Sequence, residues 1–440
     1  MTWHPTAHNE GKAVSMRTIV AASAIGTTIE WYDFLIYGIA ASLVLNKLFF
    51  PTYDPLVGQL IAISTIGVGF FARPLGAVIF SHFGDRLGRK SMLIVTLVSM
   101  GVGTTLIGLL PTYASIGIVA PVLLVACRLV QGIAVGGEWG GAVLMATEHS
   151  PPEKRGFYGS LVQIGFPLGM ALGTASFFAL ASLGDQQFMS WGWRVPFVAS
   201  AVLVVIGIFI RLRIDETPVF KRVLREGNVA RLPVLDTILQ HPKDLMIGLG
   251  ARITEISWIY VLTIFGLSYA VIDLGLPRSL VLGAIALGAA VELITIPLFG
   301  SLSDRMGRRV IYLLGCGAAI CLSFPVFWAI ATREPVVVVL AFVIGMSVGH
   351  GIMYGVQASF LSEMFPSNLR YSGASLGYQL AAPLGGGLVP LAAGAIVDLT
   401  HGATWPVSLL MIAIASVTIL AIWGARETAP QVAKLQLTFT

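Results

Sequence analysis

Residues 82–90 read His-Phe-Gly-Asp-Arg-Leu-Gly-Arg-Lys, and a related stretch, Asp-Arg-Met-Gly-Arg-Arg, occurs at residues 304–309. Each stretch joins two long apolar runs. Two further pairs follow in the same order and at nearly the same separation: Glu-x2-Pro with a later arginine at 148–155 and 363–370, and Gln-x3-Pro-Leu-Gly at 163–169 and 379–385. Three matched pairs indicate two related halves, as in transporters built from parallel repeats.

The composition places most of the chain in a membrane. Of 440 residues, 56% are hydrophobic and 11% are charged, whereas soluble globular domains have about 25% charged residues. The apolar runs reach the length of about 20 residues that a spanning helix needs, and they lack the alternation of barrel strands. We therefore predict an all-α integral membrane protein and assign the net charge of +5 to its loops, not to a nucleic-acid-binding surface.

We predict twelve spans, near 18–45, 57–83, 91–110, 116–147, 156–183, 194–212, 245–273, 279–303, 310–331, 336–362, 369–398 and 405–425. A charged stretch from Arg211 to Lys243 separates the halves. The predicted organisation is a tail at 1–17, a six-helix half at 18–212, a central loop at 213–244, a second six-helix half at 245–425 and a tail at 426–440.

Lysine and arginine are unevenly distributed over alternate loops. About twenty lie on the side of both termini and about four on the other side, namely Lys47, Arg194, Arg278 and Arg333. Because basic residues mark cytoplasmic loops, both termini are expected in the cytoplasm. The polar first 17 residues lack the pattern of a signal peptide. The 3 cysteines lie in apolar runs without disulfide or zinc spacing.

The repeated loop carries a family resemblance. The pattern Gly-x3-Asp-Arg-x-Gly-Arg-Lys/Arg resembles the signature loop of the major facilitator superfamily; the second copy fits from Gly300, whereas Ser81 replaces the glycine of the first copy. Stretches at 30–34, 73–76, 82–90, 128–141, 191–197, 216–220 and 370–373 resemble one branch, the metabolite:proton symporters, and especially its shikimate-transporter-like members. The resemblance implies two pseudo-symmetric six-helix halves, alternating access and coupling to an inward proton gradient.

Ionisable residues inside the predicted spans are candidates for coupling, because a charge at the bilayer centre costs at least about 2.5 kcal/mol. Glu30, Asp33 and Tyr37 share a face of the first span, and two carboxylates there cannot both ionise cheaply. Arg128 and Glu138 share a face of the fourth span, and the resemblance ties an arginine at this place to proton coupling. We expect both carboxylates of the first span, Arg128 and Glu138 to couple protons; a permanent Arg128–Asp33 ion pair is the structural alternative.

Other polar and aromatic residues of the spans are candidates for binding the solute. Arg73 can attract an anion or pair with a carboxylate, Arg252 and Glu255 can bind solute or pair with each other, and His350 can titrate near neutral pH or simply pack. Aromatic residues in spans more often pack than bind. The predicted substrate-binding set is Tyr37, Arg73, Gln131, Trp139, Gln163, Arg252, Glu255, Glu292, His350, Tyr354 and Gln379.

The signature loops lie at the predicted cytoplasmic ends of the helices, away from the solute. Their charges can form ion-pair clusters, which the resemblance implies latch the inner side while the carrier faces outward. The predicted gate comprises Asp85, Arg86, Arg89, Glu148, Arg155, Asp304, Arg305, Arg308, Glu363 and Arg370. Anchoring by the positive-inside rule is the alternative for its basic members.

These features predict a secondary transporter of the bacterial inner membrane that imports a small polar metabolite with protons. The expected solute is an organic acid of the shikimate, dicarboxylate or aromatic type; the alternatives are a proton-coupled exporter and a betaine- or proline-type osmolyte symporter. Phe166-Pro167 replaces the Gly-Pro pair usual in exporters. The sequence has no ATP-binding P-loop, catalytic triad or metal cluster. We expect no enzyme activity, metal, nucleic acid or cofactor, H⁺ as the coupling ion, and a monomer in the lipid bilayer.

Overall fold

A computed structural model describes residues 15–51, 55–180 and 184–432, without the side chains of 55–63, 66 and 185. Most of the two predicted tails, 1–17 and 426–440, lies outside these ranges. The described chain consists of long helices joined by short turns, as the long apolar runs predict.

Eleven helices of the described residues are long and apolar enough to cross a membrane, with lengths from 19 to 34 residues. They are α1 (Met16–Phe49), α3 (Arg89–Leu109), α4 (Val119–His149), α5 (Pro152–Leu180), α6 (Gly192–Leu212), α7 (Pro242–Asp273), α8 (Arg278–Met306), α9 (Arg308–Ala331), α10 (Pro335–Met364), α11 (Arg370–Leu399) and α12 (Trp405–Trp423). The remaining long helix, α2 (Pro55–Leu87), has 33 residues. The chain is a multi-pass membrane protein.

The turn between α2 and α3 is built like the turn between α8 and α9. Gly88 and Gly307 have φ angles of 111° and 105°, a region that glycine adopts without steric cost. A Cβ atom on Gly88 would meet the carboxylate of Glu216, and one on Gly307 would meet that of Glu427. The last glycine of the signature loop is therefore required twice over, by backbone conformation and by close approach.

Small residues bring helices together within a half. A Cβ atom on Gly136 of α4 would overlap the carbonyl oxygen of Arg73 on α2, and one on Gly132 would press against Gly69. Glycine at every fourth position keeps one face of α4 flat, so that the two backbones can touch. This close contact fixes where α2 and α4 present their charged side chains.

The two halves, α1–α6 and α7–α12, meet along α2 with α11 and along α5 with α8 and α10, while α4 also contacts α11. Large apolar side chains such as Phe178 and Leu399, which are 81% and 80% exposed, lie on the outer surface. Arginine and glutamate side chains of the spans lie inside the protein. Such an inverted distribution is expected where the surrounding solvent is lipid.

The predicted all-α architecture of twelve helices in two six-helix halves is confirmed. Four helices of the described residues contain π-helical turns, at Ala41–Leu45 in α1, Val261–Phe265 and Tyr269–Asp273 in α7, Gly345–His350 in α10 and Ala382–Leu388 in α11. The connection between the halves contains two short helices, Pro218–Arg225 and Pro233–Gln240. Arg211, which begins the charged stretch and lies within the predicted span 194–212, is in the last turn of α6 and is 4% exposed.

Candidate functional site

Asp33 is buried in the first half and is bound by hydroxyl groups. Thr104 on α3 and Ser200 on α6 donate to its two carboxylate oxygens at 2.6 and 2.7 Å. Gln131 on α4 donates in turn to Thr104 Oγ1 at 2.6 Å. Because a hydroxyl group can donate or accept, the same neighbours can satisfy Asp33 with or without a proton.

Arg128 approaches this network without pairing with Asp33. Its Nη1 donates to Gln131 Oε1 at 3.0 Å, and its guanidinium lies 3.9 Å from the centroid of the Tyr37 ring. In the described part of the chain Arg128 forms no ion pair, so the direct pair considered from the sequence is absent from this structure. Arg128 and Asp33 are connected instead through Gln131 and Thr104.

Glu30 and Arg73 line a small cavity among α1–α4, together with Asp33 and Arg128. They are 3% and 2% exposed. Neither forms an ion pair or a hydrogen bond with another described residue, and Glu30 Oε2 is buried without a partner. The Arg73 guanidinium lies over the Phe70 ring at 4.7 Å. The free space amounts to about one water molecule, so a metabolite can enter only if the helices separate.

Glu138 differs from the other carboxylates of this half because it has a fixed cationic partner. It forms a buried ion pair with Arg211 of α6, and Thr96 donates to its Oε2 at 2.6 Å. Arg211 also donates to a backbone carbonyl of α3. Since arginine stays charged, this ion pair gives Glu138 a permanent counter-charge and joins α4 to α6.

Arg252 and Glu255 on α7 pair with each other, one of the two alternatives left open by the sequence. Gln357 on α10 joins both, accepting from Arg252 Nη1 at 3.0 Å and donating to Glu255 Oε2 at 3.2 Å. It also donates to Tyr312 of α9 at 3.0 Å. The Tyr378 ring of α11 lies 3.8 Å from the Arg252 guanidinium. Three helices of the second half thus hold this pair in place.

His350 on α10 lies between carboxylates of two other helices. Its Nε2 is 2.7 Å from Glu255 Oε1 on α7, and its Nδ1 is 2.5 Å from Glu292 Oε1 on α8. Tyr354 stacks on the imidazole at 4.7 Å, and Phe166 of α5 meets it edge-on at 5.5 Å. Glu292 is fully buried, and its Oε2 has no partner among the described residues. The second half therefore has its own buried ionisable centre.

Several predicted solute-binding residues contact one another across the boundary between the halves. Trp139 on α4 stacks on Tyr378 of α11, with ring centroids 3.6 Å apart and planes at 10°. Trp139 Nε1 donates to Gln163 Oε1 at 2.9 Å, and Gln163 Nε2 donates to the Tyr354 carbonyl at 3.3 Å. Gln379 donates to a carbonyl of α4 at 3.2 Å. In this conformation these groups close the path between the halves.

A second aromatic contact lies farther along the helices. Phe70 of α2 meets Tyr260 of α7 edge-on at 5.3 Å, and Phe34 of α1 meets the same ring at 6.4 Å. These three residues lie about 26 Å along their helices from the end of the molecule where α1 begins and α12 ends. We call that end the terminal face and the other end the opposite face.

The terminal face is closed by hydrogen bonds between the halves. Asp85 at the end of α2 accepts from the backbone N–H groups of 371–372 at 3.2 and 2.9 Å. Asp304 at the end of α8 accepts from those of 156–157 at 2.8 and 2.9 Å. Each carboxylate thus caps the beginning of a helix in the other half, where the helix dipole favours negative charge.

Charged side chains reinforce the first of these contacts. Arg89 lies 3.3 Å from Asp85 and 3.5 Å from Glu148. Glu148 also pairs with Arg370 of the other half at 3.3 Å. Arg89 Nη2 donates to the Ser367 carbonyl at 2.9 Å. This largely buried cluster links α2, α3, α4 and α11.

The second cluster is less extended. Arg308 lies 2.8 Å from Asp304 and 3.2 Å from Glu363, all within the second half. Three predicted gate residues form no ion pair with the described residues: Arg86, Arg155 and Arg305. The two signature loops therefore share their carboxylate caps but not every ion pair.

Two glutamates that were not among the predicted site residues complete the terminal face. Glu216 accepts from the Lys90 backbone N–H at 3.1 Å. Glu427 accepts from the backbone N–H groups of Arg308 and Arg309 at 2.9 and 3.1 Å. Each ties the chain after the last helix of a half to the start of that half's third helix. A repeated Glu-Thr at 216–217 and 427–428 is the sequence signal that could have found them.

Sequence reasoning also missed neighbours whose role depends on tertiary contacts. Hydroxyl-bearing residues are common in spans, and a basic residue near a helix end is usually assigned to a loop. The residues missed for these reasons are Thr96, Thr104, Ser200, Arg211 and Tyr312.

Comparisons with known proteins agree with this architecture. The chain is 41% identical over 400 residues to the shikimate transporter of Escherichia coli K12, covering 90% of this chain and 91% of the relative. It is 38% identical over 423 residues to the inner membrane metabolite transport protein YhjE of the same organism, covering 95% and 96%. A solved structure of the proton:xylose symporter XylE superposes with a TM-score of 0.77 at 16% identity, covering 97% of this chain and 99% of that chain.

These relatives are transporters, which confirms the prediction that the chain is not an enzyme. The family profile described as Major Facilitator Superfamily matches residues 23–381. This range includes both signature loops and the buried charges described above. The chain belongs to the Major Facilitator Superfamily.

Proposed function

We propose that the chain imports a small polar metabolite, most simply an organic acid, by symport with protons across a bacterial inner membrane. The observation that carries the proposal is the pair Arg73 and Arg128, which line one cavity without an ion pair in the described structure. Arginine keeps its charge when buried, and unpaired charge inside a membrane is costly. Two such guanidinium groups favour an anionic solute that pairs with them.

Asp33 is the proposed proton carrier of this half. It shares the cavity with Arg128 and is connected to it through Gln131 and Thr104. An ionised Asp33 balances the charge of Arg128, whereas a protonated Asp33 leaves that charge available to a solute carboxylate. Proton and anion then bind together more favourably than either does alone, as symport requires.

The proposed transport cycle moves the halves against each other around this centre. The terminal face is closed here by the caps at Asp85 and Asp304, so the halves separate there only after those bonds break. The excess of basic residues supports a cytoplasmic location for the terminal face. Two relatives are named for shikimate and for inner membrane metabolite transport, in keeping with an acid as cargo.

A betaine-type osmolyte symporter is the second candidate. Glu30 lines the same cavity as Arg73, and a pair of opposite charges also fits a zwitterion. The two candidates require different charge states of Glu30. An ionised Glu30 would repel an acid, whereas it would attract a quaternary amine.

Uptake into proteoliposomes under an imposed pH gradient, acidic outside, tests the proposal. The panel is labelled shikimate, α-ketoglutarate, citrate, a simple aromatic acid and glycine betaine. We expect accumulation of one acid that a protonophore abolishes, and its loss in Arg73→Gln but not in the exposed control Arg231→Gln. Accumulation of betaine alone supports the second candidate. No accumulation, with pH-driven loss of preloaded solute, contradicts import.

A further inference from the structure

We propose that Glu255, His350 and Glu292 form a second proton-binding site, and that its exchangeable proton lies between His350 and Glu292. The inference rests on the proton symport proposed above and names where the second half takes part in it. The site is separate from Asp33, which is bound by residues of α3 and α6 in the first half.

The geometry around His350 determines how many protons the site holds. Both imidazole nitrogens of His350 lie within hydrogen-bond distance of a carboxylate oxygen, at 2.7 Å for Nε2 and 2.5 Å for Nδ1. A neutral imidazole has one N–H and one lone pair. A lone pair facing an ionised carboxylate at such a distance is repulsive. The three groups therefore hold two protons, either as an imidazolium or as a neutral imidazole beside one carboxylic acid.

The two carboxylates differ in what balances their charge. Glu255 pairs with Arg252 and accepts from Gln357, so it has a counter-charge and a donor whether or not a proton is shared with His350. Glu292 has only His350 as a partner among the described residues, and its Oε2 is buried without one. Without a fixed cation, Glu292 is the carboxyl whose charge the second proton neutralises, and its loss leaves an unpaired carboxylate that needs water. The exchangeable proton is thus the one shared between Glu292 and His350.

The surrounding charges agree with this assignment. The charged and titratable groups that face the imidazole, directly or through Gln357 and Tyr354, come from α7 to α11: Arg252, Glu255, Glu292, Tyr312, Tyr354 and Tyr378. On α5 the facing residue is Phe166, which is apolar. With two protons on the bridge, Arg252 and the imidazolium balance the two carboxylates. Loss of one proton leaves a net negative charge that needs water.

The site lies where both sides of the membrane can reach it in turn. Glu292 is 14 residues from either end of α8, Arg278 and Met306, or about 21 Å at 1.5 Å per residue. His350 ends the π-helical turn Gly345–His350 of α10, and such turns are frequent at functional sites. A proton from water on one side binds when the halves open there, and it returns to water on the other side after they rock. The step moves one proton and changes no other bond.

A proton count on the purified full-length protein tests the assignment without any solute. In weakly buffered detergent solution with an indicator dye, we compare wild type, Glu292→Gln and Glu292→Asp between about pH 5 and 9, above the usual range of an exposed carboxyl. The exposed Glu226→Gln is the matched control, since its carboxylate is 58% accessible. Glu292→Gln should bind one proton fewer than wild type, whereas Glu292→Asp and the control should bind the same number. A Glu292→Gln titration that matches wild type overturns the proposal.

Transport supplies the second measurement. In proteoliposomes, Glu292→Gln should lose accumulation under the pH gradient, while solute exchange at equal concentrations on both sides remains measurable and shows that the variant is folded. Undiminished accumulation by Glu292→Gln contradicts the site even if the wild type is a symporter. If the wild type accumulates no solute of the panel, the proposed function fails, and the proton count still decides whether the site exists.

Discussion

Asp85 and Asp304 make the same contact in opposite directions: each carboxylate ends the second helix of its half and caps the start of a helix in the other half. Each accepts two backbone N–H groups at 2.8 to 3.2 Å. The internal sequence repeat is thus also a repeat of contacts between the halves at the terminal face. Because the caps join different halves, they bear on the conformational equilibrium and not only on local stability.

Replacing either cap by an amide should open the terminal face. Hydrogen bonds to charged groups contribute about 1.5–3 kcal/mol, so Asp85→Asn or Asp304→Asn should raise the open population by about 10- to 100-fold. A cysteine at Ser375, which contacts α4 across the boundary, reports opening by its rate of labelling with a membrane-impermeant maleimide. The background carries serine in place of the 3 native cysteines.

The control for these variants is Asp215→Asn, whose carboxylate is 78% accessible and outside both caps. It should label at the rate of the parent. Equal labelling of all three aspartate variants would show that the caps do not close the face.

The stack of Trp139 on Tyr378 should contribute separately. An aromatic pair of this kind is worth about 0.5–1.5 kcal/mol beyond its buried area. Trp139→Leu and Tyr378→Leu each remove the stack and form the cycle, while Trp139→Phe keeps a ring and removes only the N–H that binds Gln163. A double-mutant cycle on the Ser375→Cys labelling rate should give a coupling energy in that range, and a coupling near zero would mean that the stack follows closure without stabilising it.

The signature-loop glycines should be sensitive to a single methyl group. Gly88→Ala and Gly307→Ala place a side chain at positive φ and against a glutamate, and we expect each to lower the melting temperature by several degrees. Gly283→Ala is the matched control, because a Cβ atom at Gly283 meets nothing within 4 Å. Gly283 lies in a helix interior, where alanine is more stable than glycine by about 0.5–1 kcal/mol, so this variant should not lower the melting temperature. Melting of the purified protein in detergent would contradict the assignment if all three variants behaved alike.

Asp33→Asn should lose proton-driven accumulation while remaining folded. The amide is close in size to the carboxylic acid; its oxygen can accept from one of the hydroxyl groups of Thr104 and Ser200 and its NH2 can donate to the other, but it cannot release a proton. Solute exchange should persist and monodispersity in detergent should match wild type. Full accumulation by this variant under the pH gradient would remove Asp33 from the coupling mechanism.

Much of the fold is encoded in local sequence. The apolar runs set the number of helices, and the repeated loop around Asp85 and Asp304 sets their division into halves. The end of α6 agrees with the predicted span 194–212, but the partner of Arg211 in its last turn was not predicted: Arg211 pairs with Glu138, 73 positions away on α4. The length of an apolar run does not reveal a partner on another helix.

The site was predictable in content but not in arrangement. Helical spacing placed Glu30 and Asp33 on one face, and burial of charge singled out Glu292 and His350 as candidates. That His350 bridges α7 and α8 depends on how three helices are rotated against each other, which periodicity within one helix does not determine. The role of Thr104 could not be predicted for the same reason, since its hydroxyl belongs to the site only because it donates to Asp33 on another helix.

The contacts that separate the two faces differ in chemistry, and this difference has a thermal consequence. Parting the halves at the terminal face wets carboxylates and backbone amides together with the stack of Trp139 on Tyr378, whereas parting Phe70 from Tyr260 wets aromatic rings. Exposing polar surface lowers the heat capacity of a protein and exposing apolar surface raises it. The polar groups make the heat-capacity change of the terminal-face opening the smaller of the two, so the equilibrium between the two open forms should drift with temperature along a curve, even in the absence of solute or a proton gradient.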